Sequence, residues 1–217
     1  ILQLAAIAKK HDLFLIFDEV YREFVYDGAE HYSIMQVEGI EENAIMIDSV
    51  SKRFSMCGAR IGWVVSKNKS VMKSLLKFAQ ARLSPPTYSQ IAAERAFDVP
   101  EQYFTEVLEE YTHRRNVLIE ALQKVEGVRV SKPKGAFYCI AELPVEDAEA
   151  FSIWLLDKFS VENETVMLAP AEGFYATKGL GRNQVRIAYV LECEKIERAV
   201  SILAAGLKAY AILVKNI

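Results

Sequence analysis

Residues 44–66 read AIMIDSVSKRFSMCGARIGWVVS and contain two apolar runs, each of which gives way to polar residues. Runs that do not alternate with polar residues are typical of strands buried on both faces, as in a parallel sheet covered by helices. A similar run at residues 13–17 (LFLIF) ends at Asp18. The three runs predict an α/β layer architecture with strands at 13–17, 44–49 and 60–66.

The rest of the chain combines helical periodicity with shorter apolar runs. A long amphipathic pattern after Pro100 predicts a helix at about 101–126, which can bridge two domains. We therefore predict an α/β part at 1–112, with a mostly parallel sheet and helices on both faces, and a smaller α+β part at 113–217. The other predicted elements are helices at 1–10, 69–82, 89–97, 148–159 and 194–213 and strands at 128–130, 136–141, 165–168 and 184–190.

The composition is that of an ordinary globular protein, with 52% hydrophobic and 25% charged residues among 217. A formal net charge of −3 gives no support for a nucleic-acid or membrane partner. Three cysteines without CxxC spacing favour a reducing cytoplasm over a disulfide framework or a metal site. The chain begins without Met and inside a predicted helix, from which we expect a fragment of a longer protein.

Polar residues that follow the predicted strands are the candidates for chemistry, because ligands of open α/β sheets bind outside the carboxyl ends of strands. The carboxylate of Asp18 could hold the cationic nitrogen of a heterocycle, or it could cap the next segment. Lys52 follows the second strand. A lysine in a pocket of low dielectric becomes nucleophilic and suits Schiff-base chemistry, whereas a solvated surface lysine is the alternative.

Anion recognition is the second chemistry that the sequence allows. Ser49, Ser51 and Arg60 could supply hydroxyl groups and a planar guanidinium to a phosphate, although Arg60 could also be a surface charge at a strand end. Arg186 stands between apolar neighbours in the predicted strand 184–190. It is therefore either a residue of the solvent face or a bidentate clamp for a carboxylate.

These motifs follow one another in a fixed order along the chain. They are Asp-x-x-Tyr at Asp18 to Tyr21, Ser-x-Ser-Lys ending at Lys52, an arginine eight residues later, Gly-Ala-Phe-Tyr at 135–138, and the strand of Arg186. Together they resemble the fold-type I aminotransferases of class I and II, which use pyridoxal 5′-phosphate (PLP). The resemblance covers essentially the whole chain and is greatest to the bacterial aspartate-aminotransferase-like subgroup. It implies that residues 1–112 are the C-terminal part of the PLP-binding large domain and that 113–217 are the small domain.

The resemblance also implies roles around the cofactor ring. Lys52 would carry PLP as a Schiff base and would move the proton between the substrate and the cofactor. Asp18 would keep the pyridine nitrogen protonated, so that the ring acts as an electron sink. Tyr21 would donate a hydrogen bond to the phenolic oxygen of the cofactor.

The remaining implied roles concern anions. Ser49, Ser51 and Arg60 would anchor the phosphate of PLP, and Arg186 would hold the α-carboxylate of the substrate. No metal ion is implied.

The implied reaction is transamination between an amino acid, aspartate or an aromatic one, and a 2-oxo acid such as 2-oxoglutarate, in a homodimer. Two alternatives stay open: a PLP-dependent C–S or α,β-lyase of the same fold, and the aminotransferase-like effector domain of a transcriptional regulator. Enzymes of the family have roughly twice this length, so we expect the chain to be inactive by itself.

Overall fold

The computed structural model describes residues 1–215 and divides into two units, Ile1–Thr105 and Glu106–Ile217. The division falls within the long helix Glu101–Gln123. The sequence places a domain boundary in the same helix, at residue 112. Among the described residues, no helix is long and apolar enough to cross a membrane.

The first unit contains a small sheet and several helices. Its strands are β1 (Leu15–Asp18), β2 (Ala44–Ser49) and β3 (Gly62–Val65). Its helices are α1 (Leu2–Lys10), α2 (Val50–Arg53), α3 (Lys69–Arg82), α4 (Thr87–Ala96) and the beginning of α5 (Glu101–Gln123), with 3₁₀ helices at Ile34–Gln36 and Cys57–Ala59. The predicted strands and helices of this unit are confirmed, with small differences at their ends.

The strand order of this sheet is β1–β2–β3, and the two pairings differ in direction. β1 and β2 are parallel, with Asp18 opposite Ile47, whereas β3 is antiparallel to β2, with Gly62 opposite Ser49. The prediction of a mostly parallel sheet is therefore wrong for β3. The segment between β2 and β3 has only the single turn of α2 and a 3₁₀ turn. This connection, residues 50–61, is at the lower limit for a parallel crossover and has no long helix, so the chain turns back and β3 pairs antiparallel to β2.

The two faces of the sheet are covered differently. On one face, β2 packs against α1 and against the 3₁₀ helix Ile34–Gln36 with the residues that follow it. The buried residues of this cluster are Ala5, Ala8, Ile34, Val37, Ile40, Ala44 and Met46. Successive strand residues point to opposite faces, and the other face carries Ile16 and Ile47, whose exposed fractions are 61% and 36%. α3 has no buried residue. The predicted burial by helices therefore holds for one face of this sheet.

The second unit has an α+β organisation, as the sequence predicts. Its strands are β4 (Arg129–Val130), β5 (Tyr138–Glu142), β6 (Ala169–Pro170) and β7 (Gln184–Ala188), in the order β4–β5–β7–β6 and antiparallel throughout. Its helices are the rest of α5, α6 (Ala148–Lys158) and α7 (Cys193–Lys215). Helices α6 and α7 approach closely, since a Cβ atom added to Gly206 would lie 2.6 Å from Leu155 Cδ2.

The strand predicted at 165–168 is wrong, because these residues lie outside the strands and β6 begins at Ala169. The apolar pattern misled because it does not correspond to burial. Met167 is exposed, and the hydroxyl of Thr165 donates to the carbonyl oxygen of Leu155 in α6 at 2.8 Å.

Candidate active site

Polar residues gather at the carboxyl ends of the parallel strands β1 and β2. Asp18 ends β1 and is paired with Ile47, so it lies at the same edge of the sheet as Ser49, the last residue of β2. α2 follows Ser49 directly and contains Lys52. Asp18 is exposed, and one of its carboxylate oxygens accepts the N–H of Val20 at 3.1 Å. Its other oxygen accepts no hydrogen bond within residues 1–215.

The three residues predicted to bind phosphate line one groove. The Ser49 hydroxyl donates to the carbonyl oxygen of Ile61 at 2.7 Å, and its oxygen lies 2.8 Å from the hydroxyl oxygen of Ser51. Arg60 has a left-handed backbone (φ 57°), and its exposed guanidinium donates to the carbonyl oxygen of Cys57 at 2.9 Å. Ser49, Ser51 and Arg60 share a groove of about 1050 Å³. Because the single proton of Ser49 is donated to Ile61, the donors that this concave surface offers to an anion are the Ser51 hydroxyl and the guanidinium of Arg60.

The apolar part of the groove comes from the sheet and from α3. Its lining residues there include Ile47, Trp63, Val64, Met72, Leu75 and Leu76. The groove therefore has a polar set at the end of β2 and an apolar wall along α3. A largely apolar concave surface with a few polar groups is typical of sites for small molecules.

Lys52 and Tyr21 are half-buried, and each lies in a segment that follows a strand. Tyr21 belongs to the turn after β1, where its carbonyl oxygen accepts the N–H of Phe24 at 2.9 Å and the two rings are in edge contact at 6.3 Å. The carbonyl oxygen of Lys52 accepts the N–H of Ser55 at 3.3 Å. Short turns thus fix the backbone of both residues.

Glu19 lies beside the site and was not predicted from the sequence. Its side chain is buried. One oxygen accepts the hydroxyl of Ser33 at 2.7 Å and the N–H of Ile34 at 2.9 Å, and the other lies 2.9 Å from His31 Nε2. Three partners satisfy the two oxygens of this side chain, as a buried polar group requires. Glu19 therefore ties the segment 31–34 to the end of β1. Its only sequence signal is its place next to Asp18 at a strand end.

Asp48 is a second buried carboxylate that the sequence analysis missed. It accepts the N–H of Ser49 at 2.7 Å, and its other oxygen, 3.8 Å from an Arg22 nitrogen, has no hydrogen-bond partner among the described residues. Burial raises the pKa of Asp48, and the Ser49 N–H and the charges of Arg22 and Arg53 offset this only in part. Positive side chains therefore accompany this buried carboxylate, which lines the same groove as Ser49.

Arg186 belongs to the second unit, on the exposed face of its sheet. It lies on β7 opposite Ile140 and Ala169, and its guanidinium carbon is 5.2 Å from the ring centroid of Tyr138 and 4.8 Å from that of Phe174. Within residues 1–215, no carboxylate forms an ion pair with it. Arg186 is thus a solvent-face residue whose N–H donors have no acceptor within residues 1–215.

The two rings beside Arg186 were not predicted as site residues. Tyr138 belongs to the Gly-Ala-Phe-Tyr motif at 135–138, which received no site role, although the register of two antiparallel strands could have placed it near Arg186. Phe174 lies in a 3₁₀ turn, where no periodicity gives a signal.

The chain matches a known protein family over most of its length. The family model for aminotransferase class I and II matches residues 1–203. The chain belongs to this family. Aminotransferases of class I and II depend on PLP, so the resemblance that the motifs carry is confirmed at the level of the family.

Several curated relatives are similar over most of the chain. An aspartate aminotransferase of Pyrococcus horikoshii is 30% identical over 209 residues, which cover 94% of this chain and 51% of the relative. An aromatic-amino-acid aminotransferase of Thermococcus litoralis is 32% identical and is matched over 95% of this chain and 52% of its own length. The chain thus spans about half the length of the curated relatives that it matches.

Solved structures give the same result for the fold. An aromatic aminotransferase from Pyrococcus horikoshii superposes with a TM-score of 0.82 at 31% identity, over 96% of this chain and 54% of the other. The α-aminoadipate aminotransferase of Thermus thermophilus, solved with N-(5′-phosphopyridoxyl)-L-leucine, gives a TM-score of 0.83 at 25% identity over 97% and 54%. The fold is therefore that of about half of an aminotransferase chain.

Proposed function

We propose that this chain takes part in PLP-dependent transamination between an amino acid and a 2-oxo acid. The observation that carries the proposal is the groove at the end of β2. It gathers Ser49, Ser51 and Arg60 directly beside the segment that contains Lys52. A primary amine and an anion-binding set on adjacent residues are what a phosphorylated aldehyde cofactor requires.

The described side chains fit PLP in their chemistry. The Ser51 hydroxyl and the Arg60 guanidinium match a phosphate, and Arg60 can offer two parallel N–H donors. Ser49 would join them once its proton turns from the Ile61 carbonyl oxygen to the phosphate. Asp18 has a carboxylate oxygen that is free for a protonated ring nitrogen, at the end of the strand next to β2. When bound, PLP supplies an electron sink that stabilises negative charge at the α-carbon of the amino acid.

Each residue then has one task. Lys52 would hold the cofactor through its amine and afterwards move a proton at the α-carbon of the substrate. Asp18 would keep the proton on the ring nitrogen, and Tyr21 would donate a hydrogen bond to the phenolic oxygen. Arg186 would bind the α-carboxylate of the substrate, since its N–H donors have no acceptor within residues 1–215.

The names of relatives support a substrate class. Relatives at about 30% identity include aspartate and aromatic-amino-acid aminotransferases. We infer an acidic or aromatic amino acid as amino donor and 2-oxoglutarate as acceptor. We further propose that the complete enzyme is a homodimer.

We expect little turnover from the 217 residues by themselves. The groove is open along its apolar wall, where the exposed side chains include Leu76, Phe78 and Leu83. Excluding water strengthens every electrostatic interaction in a site and prevents side reactions. A site open on this side should hold the cofactor weakly and catalyse slowly.

A labelling experiment tests the assignment of Lys52 without requiring turnover. The chain is incubated with PLP, reduced with borohydride and digested, and the phosphopyridoxyl group is located by mass spectrometry. We expect the label on Lys52 and its loss in Lys52→Arg. Lys67→Arg and Lys69→Arg serve as matched controls on exposed lysines of the same unit. A label distributed over those lysines, with no preference for Lys52, would contradict the proposal.

A further inference from the structure

Arg186 differs from the other arginines of the second unit in the partners that it has. The others donate hydrogen bonds to carboxylate, amide or backbone oxygens; they are Arg114, Arg115, Arg129, Arg182 and Arg198. Within residues 1–215, the guanidinium of Arg186 contacts the rings of Tyr138 and Phe174 and has no hydrogen-bond or ion-pair partner. Its N–H donors lie in the guanidinium plane. None of these donors is bound to the described part of the protein.

Two different elements bring the rings to Arg186. In the β5–β7 ladder, Tyr138 lies opposite Ala188, two residues beyond Arg186 and on the same face. Diagonal neighbours in a ladder are within reach of long and aromatic side chains, and the small Ala188 leaves room for the ring. Phe174 ends the 3₁₀ turn after β6, where its N–H donates to the carbonyl oxygen of Ala171 at 2.9 Å.

The segment before Tyr138 is fixed by contacts within the second unit. Phe137 stacks on Tyr111, with ring centroids 5.3 Å apart. The hydroxyl of Tyr189 donates to the carbonyl oxygen of Ala136 at 2.9 Å. Tyr138 therefore leaves an anchored turn, whereas Phe174 is held by its backbone and has an exposed fraction of 55%.

We propose that Tyr138 and Phe174 are positioning residues that hold Arg186 for the carboxylate of the substrate, a role that rests on the function proposed above for Arg186. A guanidinium is attracted to the face of an aromatic ring. Its in-plane donors then stay available for two parallel hydrogen bonds to a carboxylate. An acidic residue of the protein would also orient Arg186, but it would compete with the ligand for the same donors. The rings orient the arginine without neutralising its charge.

The arrangement can be tested by NMR on the 217-residue chain, because ring currents shift nuclei that lie over an aromatic face. The Nε–H signal of Arg186, assigned with Arg186→Lys, should move in Phe174→Leu and in Tyr138→Leu. Tyr138→Phe keeps the ring and should leave the signal in place. Signals that stay unchanged in both leucine variants would overturn the arrangement. Phe174 is exposed, so Phe174→Leu keeps the test valid even if Tyr138→Leu unfolds.

The function of the rings is tested by titrating the chain with 3-phenylpropanoate, with the uncharged 3-phenylpropanamide as matched control. Arg186→Lys should weaken binding of the acid at least about tenfold, because an ammonium cannot form the planar fork. Loss of either ring should weaken it about two- to fivefold, the range of an exposed cation–π contact. Tyr138→Phe should bind as the wild type does.

The possible results separate the two proposals. If Arg186→Lys weakens binding of the acid and the leucine variants do not, Arg186 binds carboxylates but the rings do not position it. If the acid leaves the Arg186 signals of the wild type unchanged, or binds no better than the amide, the proposed role of Arg186 fails and the positioning role fails with it. Lys52 labelling is independent of both results.

Discussion

The two units of the molecule bury their helices to different extents. In the second unit, α6 and α7 each have fully or nearly fully buried residues, among them Phe151, Leu155, Leu203 and Leu207. In the first unit, α3 has a helical apolar pattern but no buried residue. An amphipathic pattern therefore predicts that a helix forms, but not whether a partner covers its apolar face.

The unit with fewer buried helical residues is also the one that contains the candidate site. The first unit contains the groove with Ser49, Ser51 and Arg60, and its helix α3 lines that groove. The second unit contains aromatic contacts between its helices, such as that of Tyr210 with Phe151, whose ring centroids are 5.1 Å apart. We infer that the second unit contributes most of the cooperative stability of this chain, whereas the first unit contributes a binding surface.

Two phenylalanines test this comparison with the largest expected effect. Phe151 is fully buried, and Phe78 has an exposed fraction of 73%. Phe151→Ala should lower the free energy of unfolding by about 3–5 kcal/mol, and Phe78→Ala should change it by less than about 0.5 kcal/mol. The ring centroids of Trp154 and Phe151 are 6.2 Å apart, so the fluorescence of Trp154 reports unfolding of the second unit. Both variants are made in a Trp63→Phe background, which removes the other tryptophan. Similar losses for both variants would contradict the comparison.

Arginines of the two units should differ in cofactor binding. Arg60→Ala removes charged donors from the groove and should weaken PLP binding by about 1.5–3 kcal/mol, roughly ten- to a hundredfold. Arg186→Ala lies in the other unit and should leave PLP binding unchanged. A spectroscopic PLP titration measures both. Arg95→Ala, an exposed arginine of the first unit paired with Asp98, is the control. Equal losses for Arg60→Ala and Arg95→Ala would show that the groove does not bind the phosphate.

Much of the fold can be predicted from the sequence, because most elements have a clear periodicity. The helix at 69–82 and the strand at 44–49 agree with the structure residue by residue. The direction of β3 cannot be derived from its composition, since a buried run looks the same in both directions. The length of the connection before Gly62 was the available signal. The strand predicted at 165–168 is displaced, because the paired residues begin at Ala169 and Met167 before them is exposed.

The candidate site also has a part that could be predicted from the sequence and a part that could not. Ser49, Ser51 and Arg60 come together because they follow one strand and a short turn, which local sequence can indicate. Glu19 and Phe174 were missed, since their partners come from other segments that only the folded chain brings close. Roles of individual residues in binding stay predictions that the experiments above address.

Self-association distinguishes the open sheet from the helical surface of the second unit. β1 is at the edge of its sheet, and Ile16 on it has the same exposed fraction, 61%, as Ile153 on α6. An apolar strand edge offers unpaired backbone groups to another chain, whereas a helix does not. We expect concentration-dependent association that Ile16→Lys weakens about tenfold, from loss of apolar burial, and that Ile153→Lys leaves unchanged. Sedimentation velocity over a range of concentrations measures it. A chain that stays monomeric, or an equal effect of both lysines, would sink this expectation.

The smallest expected effect concerns the residues that cap one helix in each unit. Asn68 accepts the N–H of Val71 at 3.0 Å at the start of α3, and Asp147 accepts the N–H of Ala150 at 2.9 Å at the start of α6. Replacing either by alanine should cost about 1 kcal/mol at neutral pH. The bond from the Ala150 N–H, and secondarily the nearby Arg182, holds the pKa of Asp147 below its usual value.

The two caps should therefore respond differently to acid. A carboxylate whose pKa is lower in the folded state stabilises the protein above its unfolded pKa of about 3.9, and this contribution is lost as the pH falls through the folded value. The cost of Asp147→Ala should shrink between neutral pH and about pH 3, while the cost of Asn68→Ala, whose amide does not titrate, should stay constant. Asp147→Asn keeps an acceptor without the charge and is the matched control. Urea unfolding across this range, with the carboxyl ¹³C signal of Asp147 followed by NMR, measures both. A cost of Asp147→Ala that is the same at both ends of the range would mean that the ionised carboxylate adds nothing beyond its hydrogen bond.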